Sequence, residues 1–248
     1  AIFAINGLVL GFIALAIAQT VMSWAGDLVE ERRRVRVFIV AAVVLLSGFL
    51  AASAFYQSQQ REQAAQQASV NREALVRMHS PALGNANAPV VLVEFFDPAC
   101  ETCRAFYPLI KDMMVANPGK IHLVLRYAPF HAGSEQLVAA LEAARRQGKY
   151  WEAMEALLAA QDALARNHNV DKEQIWAPLA AVGLDMAKLK SDMAAADIAN
   201  VIAQDLADAQ TLQVRKTPEF FVNGRPLPSF GYAQLQALVA EEIAKASR

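Results

Sequence analysis

Two long stretches at the start of this chain carry no charge, and they constrain what it can fold into more than any other feature. No Asp, Glu, Lys or Arg precedes Asp27, and none lies between Arg36 and Arg61. The two blocks, residues 1–24 and 37–56, each reach the roughly 20 residues that an α-helix needs to cross a bilayer. The second is the purer, VFIVAAVVLLSGFLAASAFY, with a tyrosine at its outer end where membrane interfaces favour aromatics. The first contains Asn6 and Gln19, which a membrane helix tolerates best against another helix. Between them, residues 25–36 carry Arg32, Arg33, Arg34 and Arg36 and are expected to form a cytoplasmic basic loop. Basic segments stay inside, so the second helix should run outward and deliver the rest of the chain to the far side of the membrane. A signal peptide is the rival reading, with Ala52-Ser53-Ala54 as its cleavage site. Its apolar core would exceed the usual length of about 7–15 residues, which favours an uncleaved anchor. Residues 57–74 are polar and rich in Gln and Ala, and read as a tether that is either a solvated helix or a disordered linker.

From residue 75 onward the composition is that of a globular domain, and the formal net charge of the whole chain is −1. A nucleic-acid binder normally shows a basic excess, so none is expected here. Two cysteines exclude a disulfide-stapled scaffold and a four-cysteine zinc site. Residues 75–79 suggest a short strand, and GNANAP (84–89) a turn. VVLVEFF (90–96) is a continuous apolar run that reads as a buried central strand, broken by Asp97-Pro98. A helix is expected over 100–116, kinked at Pro108, and a parallel strand over 121–127. Helical patterning then fills about 134–212. A hairpin follows, with strands 219–222 and 225–229 around Asn223-Gly224, and an amphipathic helix over 232–246 closes the chain.

The chemistry points to Cys100-Glu101-Thr102-Cys103, placed directly after the buried strand at the start of a helix. Backbone N–H groups at a helix N-terminus favour an adjacent anion, so the Cys100 thiol should ionise easily. Cys100 then reads as the exposed nucleophile and Cys103 as the deeper, resolving thiol. Half a metal site and two unrelated buried thiols are the alternatives, although His79, His122, His131 and His168 form no ligand-like pair. Glu94 interrupts the apolar strand. If buried there it should be hard to ionise and able to exchange protons with Cys103; an exposed strand edge is the bland alternative. Thr217-Pro218 opens the strand EFFV, and either a cis or an ordinary trans proline is compatible with that position. Beside the dithiol, such a proline would bar metal and offer backbone groups to a substrate strand. His131 is expected in a loop, Trp151 and Trp176 in the core, and Arg145-Arg146 on a solvated helix face.

Taken together, APVVLVEFFDPACETCRAFYP, RYAPFH, the helical stretch and KTPEFFVNGRPLP resemble the DsbA-like family of exported thiol-disulfide oxidoreductases. The resemblance runs from about residue 75 to the C-terminus and does not extend to the two apolar blocks. It implies an α/β, thioredoxin-like fold with an inserted helical domain, here preceded by membrane helices. It also implies a redox-active Cys100–Cys103 pair, Glu94 as the buried acid, Thr217 and Pro218 as the cis-proline loop that meets substrate, and no cofactor beyond the disulfide. The activity implied is oxidation, reduction or isomerisation of exported cysteine-containing proteins at the bacterial inner membrane, with the catalytic domain in the periplasm and a membrane partner that resets the dithiol. The motif departs from the Pro-His of strongly oxidising members: Glu101 and Thr102 stand between the cysteines. A carboxylate beside Cys100 opposes a second negative charge, so a weaker oxidant is expected. The competing function is a thiol-based metal (copper) chaperone or metal-centre assembly factor on the same scaffold.

Overall fold

The computed structural model describes residues 16–17, 28–70, 72–166 and 169–247. The first apolar block therefore lies outside the described residues apart from 16–17. Contacts divide the chain into two units, Ala1–Gln60 and Arg61–Arg248. In the first, helix α1 (Leu28–Val70) takes in the basic segment, the second apolar block and most of the polar stretch without a break. This corrects the loop expected over 25–36 for residues 28–36; residues 25–27 lie outside the described residues. Neither Pro nor Gly occurs between Leu28 and Ser47, and Leu, Glu, Arg and Gln are good helix formers. The span Arg33–Gln63 is long and apolar enough to cross a bilayer, and none of its most apolar stretch is buried within the protein. Its hydroxyls are satisfied internally: Ser47 Oγ donates to Val44 O and Ser53 Oγ to Leu50 O, both at 3.0 Å. Polar groups inside a hydrocarbon layer require that arrangement.

After the end of α1, the second unit continues with a single turn, α2 (Arg72–Leu75), and not with the strand expected over 75–79. Arg77 and His79 are drawn to Asp208 and Asp205, so this segment joins an ion network in place of the sheet. The first strand is β1 (Ala82–Gly84), which ends inside the expected turn. There follow β2 (Val90–Phe96), α3 (Glu101–Ala116) and β3 (Ile121–Tyr127). The insertion consists of α4 (Ser134–Arg145), α5 (Tyr150–Ala159), α6 (Gln161–Leu164), a two-stranded ribbon of β4 (Ala165–Arg166) and β5 (Asn169–Val170), then α7 (Trp176–Ala181), α8 (Met186–Met193) and α9 (Ala196–Thr211). The ribbon was not anticipated, and two-residue strands are too short to leave a pattern in sequence. The chain closes with β6 (Glu219–Val222), β7 (Arg225–Pro226) and α10 (Tyr232–Ala246).

The five-stranded sheet has the order β1-β3-β2-β6-β7. β2 lies at its centre, parallel to β3 and antiparallel to β6. Asn223 (φ 48°) and Gly224 (φ 82°) both take positive φ in the β6–β7 turn, as a type I′ hairpin requires. β7 stops at Pro226, short of the strand expected to 229, because Pro226 and Pro228 have no N–H to give a ladder. α3 runs through Pro108 without interruption and buries Cys103, Phe106, Tyr107, Ile110 and Met113, the i, i+3, i+4, i+7 stripe of an amphipathic helix. Alternation along β2 sends Val90, Leu92 and Phe96 into the same core as those residues, and Val93 and Phe95 into a second core on the other face.

A buried ionic cluster joins the sheet to the insertion. Arg126, fully buried on β3, donates from Nη2 to Asp205 Oδ1 (2.7 Å) and Asp208 Oδ2 (2.6 Å), and from Nη1 to Ala74 O. Asp205 also accepts from Tyr127 N at 2.7 Å, and Asp208 from Arg77 Nε at 2.9 Å. One guanidinium thus holds β3, α9 and the chain entering the domain. Removing one partner strands a buried charge. Asp205→Ala should therefore cost about 3–5 kcal/mol of unfolding free energy in urea titrations. Lys188→Ala, which breaks an exposed pair with Asp192, should leave the urea midpoint almost unchanged.

Candidate active site

At the C-terminal end of β2 the chain turns through Asp97, Pro98 and Ala99, and Cys100 caps α3 in extended conformation (φ −79°, ψ 119°). Asp97 shapes that turn: its Oδ1 accepts from Ala99 N at 2.8 Å, and its carbonyl accepts from Cys100 N at 3.0 Å. Both cysteines are free thiols. Cys103 is fully buried on the inner face of α3 and Cys100 retains only 5% of its surface. The nucleophile expected to be exposed is therefore covered. The reason is the loop before β6: Cys100 Sγ lies 3.3 Å from the Thr217 carbonyl oxygen, to which its thiol donates. The Thr217–Pro218 peptide is cis, which decides the alternative that the sequence left open, and Pro218 itself is buried.

The two sulfurs experience opposite electrostatics. The Cys100 thiol is drawn down to about 5, chiefly by a hydrogen bond from Cys103. Burial opposes the shift, while the Thr217 side chain and the backbone N–H groups of Cys103 and Thr102 add to it. Cys103 is pushed well above the usual thiol range, first by burial, then by its hydrogen bond to Cys100 and by the charge of Glu94; the Asp97 backbone N–H acts in the other direction. Glu101 and Thr102, between them, both face solvent, where water screens the carboxylate's repulsion of the thiolate.

Glu94 is buried, with 1% of its surface exposed, which removes the edge-strand alternative. It pairs with Leu125 on one side and Phe220 on the other. Being in step with Leu92 and Phe96, it faces the same core as Cys103. Its Oε1 has no hydrogen-bond partner among the described residues. Desolvation, with a smaller contribution from the Cys100 charge, pushes its carboxyl up to about 8. The structure thus brings Cys100, Cys103, Glu94, Thr217 and Pro218 into one locality at the C-terminal end of β2.

Other residues carry weak or no functional signal in the sequence. His131 stands at the site's edge, its Nδ1 2.7 Å from Asp97 Oδ2. Trp151 and Trp176 pack partly buried against the core, and Arg145 and Arg146 are exposed and hold ion pairs with Glu142, Asp192 and Asp197. Gln161, buried at the start of α6, donates from Nε2 to Pro98 O (2.8 Å) and Cys100 O (3.1 Å), a contact for which the sequence holds no signal. Asp97 did carry one, as a polar residue ending a buried strand, but it was read only as a strand breaker. Phe230, 46% exposed, stacks against Phe106 with 5.1 Å between ring centroids, and Lys216 Nζ lies 5.5 Å from its ring centre.

Comparison with known proteins agrees with this geometry. A family model described as thioredoxin matches residues 77–241. A thioredoxin-like oxidoreductase from Silicibacter pomeroyi superposes with a TM-score of 0.60 at 34% identity, over 69% of this chain and 96% of that one. The thiol-disulfide exchange protein alpha-DsbA2 from Wolbachia pipientis does so with a TM-score of 0.62 at 21% identity, over 74% and 97%. In sequence, the Na(+)/H(+) antiporter NhaA 3 of Salinispora tropica is 32% identical over 145 residues. That match takes in 57% of this chain, yet it spans only 21% of the antiporter's length. The fold is thioredoxin-like with inserted helices, and the chain belongs to the thioredoxin family.

Proposed function

We propose that the chain is a membrane-tethered thiol-disulfide oxidoreductase whose catalytic domain works in the bacterial periplasm on exported, cysteine-containing proteins. The observation that carries this reading is the asymmetry of the two sulfurs: one ionised near neutrality at a helix start, the other buried and held protonated. The apolar helix with arginines at its N-terminal end supports the tether and its orientation. The likeness to an antiporter supports a place beside a membrane.

In the reducing direction, the Cys100 thiolate attacks a substrate disulfide, forms a mixed disulfide and expels one substrate thiolate. Cys103 then loses its proton to Glu94 and attacks Cys100 Sγ. The Cys100–Cys103 disulfide forms, and the second substrate sulfur leaves as a thiolate. Oxidation of a substrate dithiol is the same sequence reversed, with Glu94 returning the proton to Cys103 as its sulfur leaves. Throughout, the Thr217 backbone lies alongside Cys100 and offers its polar groups to an extended substrate. A membrane partner resets the dithiol between turnovers.

Cys100→Ser should abolish reduction of insulin and reactivation of scrambled ribonuclease, whereas Cys103→Ser should accumulate mixed disulfides visible on non-reducing gels. Wild-type turnover by Cys100→Ser would overturn the assignment. A Cys100 thiol at about 5 lies between the roughly 3.5 of DsbA and the roughly 7 of thioredoxin. The dithiol's reduction potential should accordingly fall between about −120 and −270 mV when equilibrated against glutathione. For Glu94, the folded carboxyl titrates above its unfolded value of 4.5, so its protonated form contributes stability at low pH that is lost as pH rises through about 8. Glu94→Gln carries no such charge. The reduced variant should gain stability relative to wild type as pH is raised from 5 to 9, while its mixed-disulfide resolution slows. A constant stability difference across that range would refute the buried-acid role.

A further inference from the structure

The mechanism above leaves unused a fully buried carboxylate in the turn that carries Cys100. Asp97 lies in the turn between β2 and Cys100, completely covered. Burying an anion beside a second site that must also become anionic is unfavourable unless its charge is masked. Here the masking is extensive. Oδ1 accepts from Ala99 N at 2.8 Å and from Ser134 Oγ. Oδ2 accepts from Phe130 N at 2.8 Å and His131 N at 3.0 Å, and lies 2.7 Å from His131 Nδ1. All but one of these donors come from residues 130–134, which lead from β3 into the first residue of α4, more than 30 residues away in sequence. The same residue reaches the dithiol through its backbone: its carbonyl takes the Cys100 N–H at 3.0 Å, and its own N–H acts to lower the Cys103 thiol against the larger effect of burial. Gln161 ties down the far side of the turn through Pro98 O and Cys100 O.

We propose that Asp97 is a positioning residue: its carboxylate, masked by donors of the 130–134 segment, locks that segment to the turn bearing Cys100 and keeps its own negative charge from bearing on the two sulfurs. The proposal rests on the assignment of Cys100 as the nucleophile. Its consequence is a coupling between two loops at the rim of the site. Phe130, 43% exposed, is the apolar side chain nearest to this lock in sequence, so any displacement of its loop weakens the masking of Asp97. Loss of a donor leaves the carboxylate's charge less compensated, and a less compensated anion nearby makes the Cys100 thiolate harder to form. The reduced form is then less stabilised, and the protein becomes a weaker oxidant.

Ser134 allows a clean test, because Ser134→Ala removes one donor to Asp97 without adding bulk and without touching either cysteine. In the full reduced chain, thiolate absorbance followed against pH should show the Cys100 titration moved upward by about half a pH unit or more. The potential measured against glutathione should become more reducing. In the Asp97→Asn background the charge is gone, so Ser134→Ala should produce no further upward movement, a coupling that a double-mutant cycle reads directly. If Asp97→Asn does not fold, the Ser134→Ala titration alone decides. A lowered melting temperature with the titration and potential unmoved would mean that Asp97 is structural only, and the inference would be discarded. Loss of activity in Cys100→Ser, measured alongside, separates that outcome from failure of the underlying assignment: an active Cys100→Ser protein sinks both, an unmoved titration only this one.

Discussion

Strand β2 is hydrogen-bonded along both edges and covered on both faces, and the rest of the domain is arranged around that constraint. With β3 on one side and β6 on the other, no residue between Leu92 and Phe96 reaches water. Alternation therefore assigns each side chain to one of two cores, and Glu94 has to share the α3 side with Leu92 and Phe96. The strand ends at Phe96, the chain turns through Asp97, and α3 starts at Glu101 with Cys100 as its cap. A helix start directs N–H groups toward whatever precedes it, in this case the Cys100 sulfur. The placement of acid, thiols and helix N-terminus is thus one consequence of a central strand followed by a tight turn.

Burial then sorts the two thiols. Desolvation disfavours both thiolates, so what distinguishes them is the supply of donors. Cys100 receives hydrogen bonds from Cys103, from Thr217 and from the first N–H groups of α3, and these outweigh its burial. Cys103 is more deeply covered, donates where Cys100 accepts, and lies within the field of Glu94. The covered position of Cys100 is compatible with reactivity on the same grounds. Its Sγ lies 3.3 Å from the Thr217 carbonyl oxygen, in the loop that leads into β6.

Features of short sequence range were legible in advance. The apolar run with a single acid, the cysteine spacing at a helix start, the Asn-Gly turn and the proline before EFFV each depend on a few adjacent residues, and each stands in the structure where its local chemistry puts it. What was not legible depends on contacts between distant residues. Arg126 reads as one polar residue in a strand, because Asp205 and Asp208 lie about 80 positions further on. Gln161 reaches Cys100 O across 61 positions, with no periodicity to announce it. The segment 75–79 was misread for the same reason: its alternation suits a strand, but Arg77 and His79 find carboxylates on α9, and that outweighs pairing with the sheet. Prolines, in contrast, act locally, and weighing Pro226 and Pro228 would have shortened β7 without any structure.

The cost carried at position 94 finally argues for what the domain does. An unpartnered carboxyl oxygen in a dry core is destabilising, and a leucine or glutamine on β2 would fold the same sheet more cheaply. No ion pair to it occurs among the described residues, and its effect on Cys103 is to make that thiol harder to ionise. As a static feature it opposes both stability and thiolate formation. In the thiol-disulfide exchange proposed above it would become useful, since a carboxyl near 8 could take a proton from Cys103 as the ring closes and give it back as the ring opens. Local rules of good packing are broken where function demands it, and Glu94 is where this sheet breaks them. The broken rule and the asymmetry of the sulfurs thus have one explanation: both serve a disulfide that is meant to form and open repeatedly.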